Sequence, residues 1–266
     1  MGLDPRLPVS RLAWSPACPI SCLPEHLSHP RSCLPARCVI ITISGMDKYA
    51  EVWERFKRER CLEFGGHTDP EWQDGHALSA SLVVPVEAPI LQRSLAPLRD
   101  ALRPFPFVSL HPDHFMHVTL LFLGFLVSKP KAENEISRER LEELAAEARE
   151  VLRSFPAFTV KLANLNVFSG AAFVEVRDGG RLGELREAIC ERCGLECPSG
   201  PLHLTLAYLQ APDGTPAPEA FVSTVERYRE WTVGAFQVER VELTLLDLNS
   251  SRYPELETLA EIPLGG

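Results

Sequence analysis

Positive charge and long apolar runs are both scarce in this sequence. Lys and Arg total 27 against 36 Asp and Glu, which gives a formal net charge of −9. This acidity disfavours a protein that coats long nucleic acid by counterion release, although a local basic cleft can still bind a small anionic substrate. No apolar stretch approaches the roughly 20 residues that a membrane-spanning helix needs, so no membrane partner is expected.

Cysteine is also scarce in the main part of the chain. Four of the eight cysteines lie in the first 38 residues, and the other four are Cys61, Cys190, Cys193 and Cys197. Without a clear secretion signal, these four are expected to be reduced thiols in a cytoplasmic protein. Cys190 and Cys193 are predicted to be small buried groups near the end of a helix.

The N-terminal residues 1–45 differ in composition from the rest of the chain. They contain seven prolines and show neither a helical nor a strand period, which predicts a disordered extension. Met46, followed by a predicted helix from Asp47 to Cys61, is a candidate translation start. Residues 46–75 are therefore interpreted as a helix and linker, and residues 76–266 as the main domain.

In the main domain, short apolar strands alternate with amphipathic helices, a pattern typical of an α+β or α/β fold. Strands are predicted at residues 78–86, 118–123, 158–162, 172–176, 202–209 and along 236–245. Helices are predicted near residues 91–102, 137–152, 182–194 and 218–231. Pro97 indicates that the first of these helices begins late or bends. Ser137 is the expected N-cap of the second helix, and Gly194 ends the third.

Two seven-residue stretches of this domain match each other position by position. They are His117-Val-Thr-Leu-Leu-Phe-Leu and His203-Leu-Thr-Leu-Ala-Tyr-Leu, and each reads His, apolar, Thr, Leu, apolar, aromatic, Leu. The order strand, helix, strand also occurs in both halves. Together these features indicate an internal duplication.

The duplicated motif offers one imidazole and one hydroxyl in each half. Because strand side chains alternate, His117 is expected to share a face with Thr119, and His203 with Thr205. A single such motif is usually a strand with a buried, hydrogen-bonded histidine, but packing alone does not explain two matching copies. If the halves pack about a pseudo-twofold axis, two imidazoles flank one ligand. One can then act as a base and the other as an acid on a phosphodiester, with no metal or cofactor required.

The same alternation predicts the direction of the neighbouring side chains. It places Leu121 on the face of His117, and it turns Phe122 and its counterpart Tyr208 towards the core. The threonine hydroxyls are then the groups that can donate hydrogen bonds to the non-bridging phosphate oxygens.

These motifs resemble those of the two-histidine (2H) phosphoesterase superfamily, close to the group known as 2'-5' RNA ligases or RNA 2',3'-cyclic phosphodiesterases. The resemblance extends over residues 78–264. It implies a bilobal α+β fold with antiparallel sheets around a central cleft and helices on the outside. It also implies four catalytic residues: His117, Thr119, His203 and Thr205. Many relatives have a basic residue at the position of Tyr208, so a phosphate contact from this position is not expected here.

The resemblance implies a phosphodiesterase that opens 2',3'-cyclic phosphates or cleaves or joins 2'-5' linkages. Expected partners are RNA ends, short oligonucleotides or small nucleotides, bound by a monomer. The direction of the reaction and the identity of base and acid stay open. The alternative is a nucleotide- or RNA-binding module without catalysis on the same scaffold.

A third hypothesis is a metal-dependent hydrolase built on His111, His114 and His117 together with Asp113. Pro112 and the nearby strand start make this site unfavourable. His111 and His114 are therefore predicted to be exposed loop residues, and His67 and His76 to lie in solvated loops.

Overall fold

The computed structural model describes residues 47–86 and 89–266. The expected disordered extension at residues 1–45, its four cysteines and Met46 lie outside the described residues. Within the described ranges, no helix combines the length and the apolar character required to span a membrane.

The chain contains helices and strands in mixed order. The helices are α1 (Lys48–Glu59), α2 (Pro70–Gln73), α3 (Pro89–Leu102), α4 (Arg138–Leu152), α5 (Arg181–Cys193) and α6 (Glu219–Arg227), with a 3-10 turn at Asp113–Phe115. The first strands are β1 (Cys61–Phe64), β2 (Leu78–Pro85), β3 (Val108–Leu110), β4 (His117–Leu126), β5 (Glu135–Ile136) and β6 (Phe158–Val167). They are followed by β7 (Ala171–Arg177), β8 (His203–Pro216), β9 (Thr232–Val238), β10 (Arg240–Asp247) and β11 (Glu257–Pro263).

The strands form two four-stranded antiparallel halves that meet at the two motif strands. The order is β11-β10-β2-β4 in one half and β8-β7-β6-β9 in the other. Strands β4 and β8 are joined through the pairing of Val118 with Leu204. The units β2-α3-β4 and β7-α5-β8 repeat the order strand, helix, strand. The α+β fold with antiparallel sheets is therefore confirmed.

The helices bury apolar faces against these halves. In α3, the leucines at positions 91, 95, 98 and 102 are all buried, and the helix packs on β9 of the other half. At Gly234 in β9, an added Cβ would lie 2.6 Å from Leu91 Cδ2, so glycine allows the close approach. The predicted late start of α3 is wrong, because the helix begins at Pro89 and contains Pro97.

The other predicted helix ends follow local signals. Ser137 caps α4, with its Oγ accepting a hydrogen bond from the Arg140 N–H at 3.2 Å. Gly194 ends α5 in the left-handed conformation at φ 63°, a conformation that costs glycine little. Both predictions are confirmed.

The pattern along residues 236–245 is two strands and not one. Strand β9 pairs with β6 in one half, and β10 pairs with β2 in the other. Strand β9 ends at Val238 and β10 begins at Arg240. Glu239 is therefore the point at which the chain crosses between the halves.

Residues 47–75, interpreted from the sequence as a helix and linker, pack against the strands of the main domain. Asp47 caps α1 by accepting from the Tyr49 N–H at 3.1 Å, and Tyr49, Trp53 and Phe56 are buried. Strand β1 pairs with the second half of β8. This pairing explains why β8 runs to Pro216, beyond its predicted end.

Candidate active site

The two motif histidines occupy the same position and make the same hydrogen bond. His117 is the first residue of β4 and His203 the first residue of β8. The Nδ1 atom of His117 lies 3.0 Å from the Phe115 carbonyl oxygen, and that of His203 lies 3.0 Å from the Pro201 carbonyl oxygen. Since a carbonyl can only accept, each Nδ1–H donates, and each Nε2 is left with a free lone pair.

The junction between β4 and β8 brings both motifs to one place. Val118 lies opposite Leu204 in antiparallel register, and both side chains are fully buried. Each is flanked on its own strand by the histidine and threonine of its motif, which project to the other face. The structure thus collects all four predicted site residues around this junction, with Thr119 exposed and the other three half-buried.

Aromatic rings hold both imidazoles in place. The His117 ring lies edge-on to Phe115, with 5.4 Å between ring centroids. The His203 ring contacts Phe173 at 4.9 Å and Phe168 at 5.1 Å. Each histidine is therefore fixed by one backbone carbonyl and at least one aromatic neighbour.

Burial lowers the pKa of both motif histidines. The pKa of His117 falls to about 4, chiefly because its charged form is poorly solvated, and because the positive charges of His203 and His67 repel it. The pKa of His203 is also lowered, first by burial and then by the nearby Arg186 guanidinium. Both imidazoles are therefore neutral at pH 7 in the free protein.

The strict alternation expected for the motif is wrong after its fourth residue. Thr119 pairs with Val83 and Leu121 with Leu82, so Leu120 is the extra residue of a β-bulge. The bulge reverses the alternation, because two successive residues then face the same side. Leu121 is consequently 2% exposed and Phe122 is 42% exposed, the opposite of the expectation.

The second motif has a bulge at the equivalent position. Thr205 pairs with Phe173 and Ala207 with Ala172, which leaves Leu206 as the extra residue. Ala207 is consequently buried, and Tyr208 is half-buried instead of lying in the core as expected. The duplication therefore extends to the backbone irregularity as well as the sequence.

Two histidines expected in solvated or exposed loops are buried beside the motifs. His67 is 6% exposed and His111 3% exposed. The Nε2 of His67 donates to the Arg252 carbonyl oxygen at 2.7 Å, and its Nδ1 lies 3.3 Å from the Tyr208 hydroxyl. The sequence near His67 and His111 does not indicate their burial, because the segments that cover them are distant in the chain.

The environment of His111 differs from that of His67. Its ring contacts Tyr208 at 4.4 Å and Phe115 at 5.0 Å between centroids. Neither ring nitrogen forms a well-aligned hydrogen bond among the described residues, although an interaction with the Thr205 backbone partly opposes the lowering of its pKa. Burial, followed by the charges of His117 and His67, holds the pKa of His111 well below its usual value.

The other two histidines of the described residues contact neighbouring protein groups. His114 is exposed, as predicted, with its Nε2 2.9 Å from the Tyr253 carbonyl oxygen. His76 is half-buried, contrary to the expectation of a solvated loop, and it stacks on Phe125 at 4.2 Å and pairs with Glu135 at 3.1 Å. Across residues 47–86 and 89–266, no group of three or more His, Cys, Asp or Glu is placed to hold a metal ion.

Two further groups of side chains have clear roles. Cys190 and Cys193 are buried free thiols at the end of α5, as predicted, and burial raises their pKa values to about 12 and about 11. Arg177 is paired with Glu175 and Asp47. Arg186, the cation that influences His203, was not singled out by the sequence.

The chain is similar to one family of proteins and to several solved structures. The family model described as the 2'-5' RNA ligase superfamily matches residues 89–249, which contain both motifs. By fold, the chain is similar to TT0787 of Thermus thermophilus, with a TM-score of 0.51, 22% identity, and coverage of 71% of this chain and 98% of that one. It is also similar to E. coli LigT complexed with ATP, with a TM-score of 0.50, 16% identity, and coverage of 71% and 99%. The LigT complex with 3'-AMP gives 18% identity at the same TM-score and coverage. No curated protein sequence matches the chain.

Proposed function

This chain belongs to the 2'-5' RNA ligase superfamily, and on that premise we propose that it is a phosphodiesterase acting on RNA or nucleotide phosphodiesters. The observation that carries the proposal is the matched pair of imidazoles. His117 and His203 each donate from Nδ1 to a carbonyl and keep Nε2 free, and they flank the one junction between the motif strands. Acid/base catalysis by two histidines requires this arrangement and uses no metal.

We assign one proton transfer to each histidine. One neutral Nε2 removes the proton from the attacking water or hydroxyl as the new P–O bond forms. The other histidine, protonated at Nε2, gives its proton to the oxygen that leaves as the old P–O bond breaks. The hydroxyls of Thr119 and Thr205 donate hydrogen bonds to the non-bridging oxygens, where negative charge grows. The two histidines exchange roles when the reaction runs in reverse, so the same site supports hydrolysis or ligation.

The bound phosphate allows the site to take up from solvent the proton that the free site lacks. Both pKa values are lowered in the free protein, which favours two neutral imidazoles. An anionic phosphate placed between them stabilises the imidazolium form and raises the pKa of one of them. The Arg186 guanidinium, whose charge lowers the pKa of His203, also adds positive charge near His203.

The relatives support a proposal for the substrate class. The LigT structures are described as complexes with ATP and with 3'-AMP, which supports a nucleotide ligand for this chain. We propose RNA ends, short oligonucleotides or small nucleotides with a 2',3'-cyclic phosphate or a 2'-5' linkage. We also propose a cytoplasmic monomer in which residues 76–266 carry the catalysis and residues 1–45 form an extension.

Turnover of adenosine 2',3'-cyclic phosphate by the purified chain in EDTA tests the proposal. His117→Ala and His203→Ala should each lower kcat by about 10²- to 10⁴-fold, the usual contribution of one general acid or base. His114→Ala is the control, because this side chain is exposed. Full activity of either motif variant, or loss of activity in EDTA, would contradict the mechanism. Binding of AMP without turnover of cyclic and 2'-5' linked substrates would instead support the non-catalytic binding module.

A further inference from the structure

One N-terminal segment lies across both motif strands. Residues 65–76 precede the stretch matched by the family model, which begins at residue 89. At one end of the segment, the His67 ring lies edge-on to Tyr208, with 5.5 Å between centroids. At the other end, the Trp72 ring contacts Phe122 at 5.7 Å. The segment therefore covers the two aromatic residues that occupy equivalent positions in the duplicated motif.

Glycines allow this segment to lie so close to the motif strands. A Cβ at Gly65 would lie 1.9 Å from the Gly170 carbonyl oxygen, and one at Gly66 would lie 2.4 Å from the Tyr208 ring. Gly66 also has φ 104°, in the region that favours glycine. The backbone of the segment is thus held in direct contact with β8 and its neighbour.

Phe122 faces the same side of β4 as the motif histidine and threonine. Without the bulge at Leu120, its side chain would point to the core. With the bulge, Phe122 follows Thr119 on one face and is 42% exposed. Their partners on β2, Val83 and Ser81, are two residues apart, which corresponds to roughly 7 Å along the strand. That distance is comparable to the separation between the phosphate and the base of one nucleotide.

The Trp72 ring packs against Phe125 and lies beside Phe122. Its ring contacts the buried Phe125 edge-on at 5.0 Å, and Phe125 is in turn stacked on His76. Trp72, which is half-buried, and Phe122, which is exposed, therefore form one apolar surface, with Phe122 on the face of β4 that carries Thr119. An aromatic surface beside polar side chains is typical of a ligand site.

The charges around this surface favour a neutral ligand group. Glu135 pairs with His76 behind Phe125, and hydrogen bonds from the Lys131 backbone and from His76 lower the pKa of its carboxyl. Glu71 and Asp74, next to Trp72 in the chain, are exposed. The negative charge of Glu71 and Asp74 repels a second phosphate. A nucleobase is neutral and planar, and it stacks on aromatic rings.

We propose that Trp72 and Phe122 form a platform on which a base of the substrate stacks while the phosphate lies between the two motif histidines. This inference rests on the proposed function, because it locates the base of the same substrate. It makes the N-terminal segment a specificity element of the site. A nucleotide substrate then gains binding energy that a base-free cyclic phosphate lacks.

Calorimetric binding of AMP tests the platform without turnover. Trp72→Leu and Phe122→Leu should each weaken AMP binding by roughly 5- to 150-fold, the range observed for loss of one stacking partner. Trp231→Leu is the matched control, since Trp231 is similarly exposed at 37% and lies next to β9. Unchanged AMP affinity in Trp72→Leu and Phe122→Leu, or a wild-type chain that turns over nucleotides without measurable AMP binding, would overturn the proposal.

Turnover of two substrates separates a stacking role from a general effect. Both variants should lose kcat/KM for adenosine 2',3'-cyclic phosphate and keep their kcat/KM for glycerol 1,2-cyclic phosphate, which has no base. An equal loss on both substrates would show that the side chains support the catalytic face rather than a base. If the wild-type chain turns over neither substrate but AMP binding still depends on Trp72 and Phe122, the catalytic proposal fails and the platform stands.

Discussion

Val118 lies opposite Leu204, and in the described chain this is the single residue pair that joins the two motif strands. The pair is fully buried, so it forms the floor beneath the flanking histidines and threonines. Because the strands are antiparallel, each histidine lies on the same side of the junction as the threonine of the other motif. The site is therefore built from both halves, and neither half alone provides an acid, a base and two hydroxyl donors.

The threonine hydroxyls should contribute to kcat. Thr119→Val and Thr205→Val keep the shape of the side chain but remove the donor to the phosphate oxygens. The loss of one such donor typically lowers kcat by about 10²- to 10³-fold, and KM should change little. Thr159→Val, at an exposed position of β6, is the matched control. Initial-rate kinetics with adenosine 2',3'-cyclic phosphate measure both constants, and an unchanged kcat in both variants would remove the threonines from the mechanism.

The pH profile of kcat/KM should have its maximum below pH 6.5. Activity requires one neutral and one protonated imidazole in the free enzyme, so the rate peaks between their two pKa values. Both values are lowered from 6.5, that of His117 to about 4. At higher pH the acid loses its proton, and kcat/KM should fall about tenfold per pH unit. A maximum above pH 6.5 in kinetics with a cyclic nucleotide would contradict this description.

Arg186 provides a variant that should move the alkaline limb of this profile. Its guanidinium lowers the pKa of His203 after the larger effect of burial. Arg186→Gln removes the charge, so the pKa of His203 should rise and the alkaline limb should move to higher pH. The acid limb, set by His117, should stay in place. If both limbs move together, the change reflects a distorted site and not the loss of one charge.

Most of the helices and strands could be predicted from the sequence because their apolar periods are regular. The leucines of α3 and the cap of α4 are local signals, and both appear where expected. The duplicated motif predicted which four side chains meet, because repetition in the chain implied repetition in space. Strands β1 and β3 carry weaker patterns, and they are defined by pairing with the distant strand β8. Strand β11 also carries a weak pattern, and it pairs with β10, its neighbour in the chain.

The surroundings of the site could not be predicted from the sequence. A β-bulge changes side-chain direction without any distinctive residue, so Leu120 gave no sign that Phe122 faces outward. Likewise, His67 and His111 occur in polar stretches, and only the packing of distant segments buries them. The local sequence indicates the period of the apolar residues and the capping residues of helices. The bulge and the burial of the two histidines depend instead on contacts between residues far apart in the chain.

His111 should make the protein sensitive to acid. Its folded pKa lies well below the ordinary value of 6.5, so below pH 6.5 the unfolded chain binds a proton that the folded chain does not. Stability is therefore lost as the pH falls, by at most about 1.4 kcal/mol for this group between pH 7.5 and pH 5.5. His111→Leu should reduce the difference between urea unfolding free energies at these two pH values by up to this amount. At pH 7.5 it should cost little, because neither ring nitrogen forms a well-aligned hydrogen bond in the described chain.

The Tyr49 hydroxyl should be a main anchor of the N-terminal helix. It lies 2.8 Å from the Val176 carbonyl oxygen and 2.6 Å from the Leu202 carbonyl oxygen, and it accepts from the Val176 N–H at 3.1 Å. Tyr49→Phe leaves these buried backbone groups without their partner, at a cost of about 1–3 kcal/mol. In a domain of this size, each kcal/mol lowers Tm by about 2–4 °C.

Thermal unfolding of Tyr49→Phe and of Tyr228→Phe measures this contribution. Tyr228 is the matched control, since its hydroxyl has no hydrogen-bond partner within residues 47–86 and 89–266, and its variant should melt close to the wild type. Leu202 directly precedes His203, so loss of the anchor should also loosen the backbone that orients the imidazole through Pro201. We therefore expect kcat to fall together with Tm in Tyr49→Phe. Equal Tm values for the two variants would mean that apolar packing of α1, and not this hydroxyl, holds the N-terminal segment on the sheet.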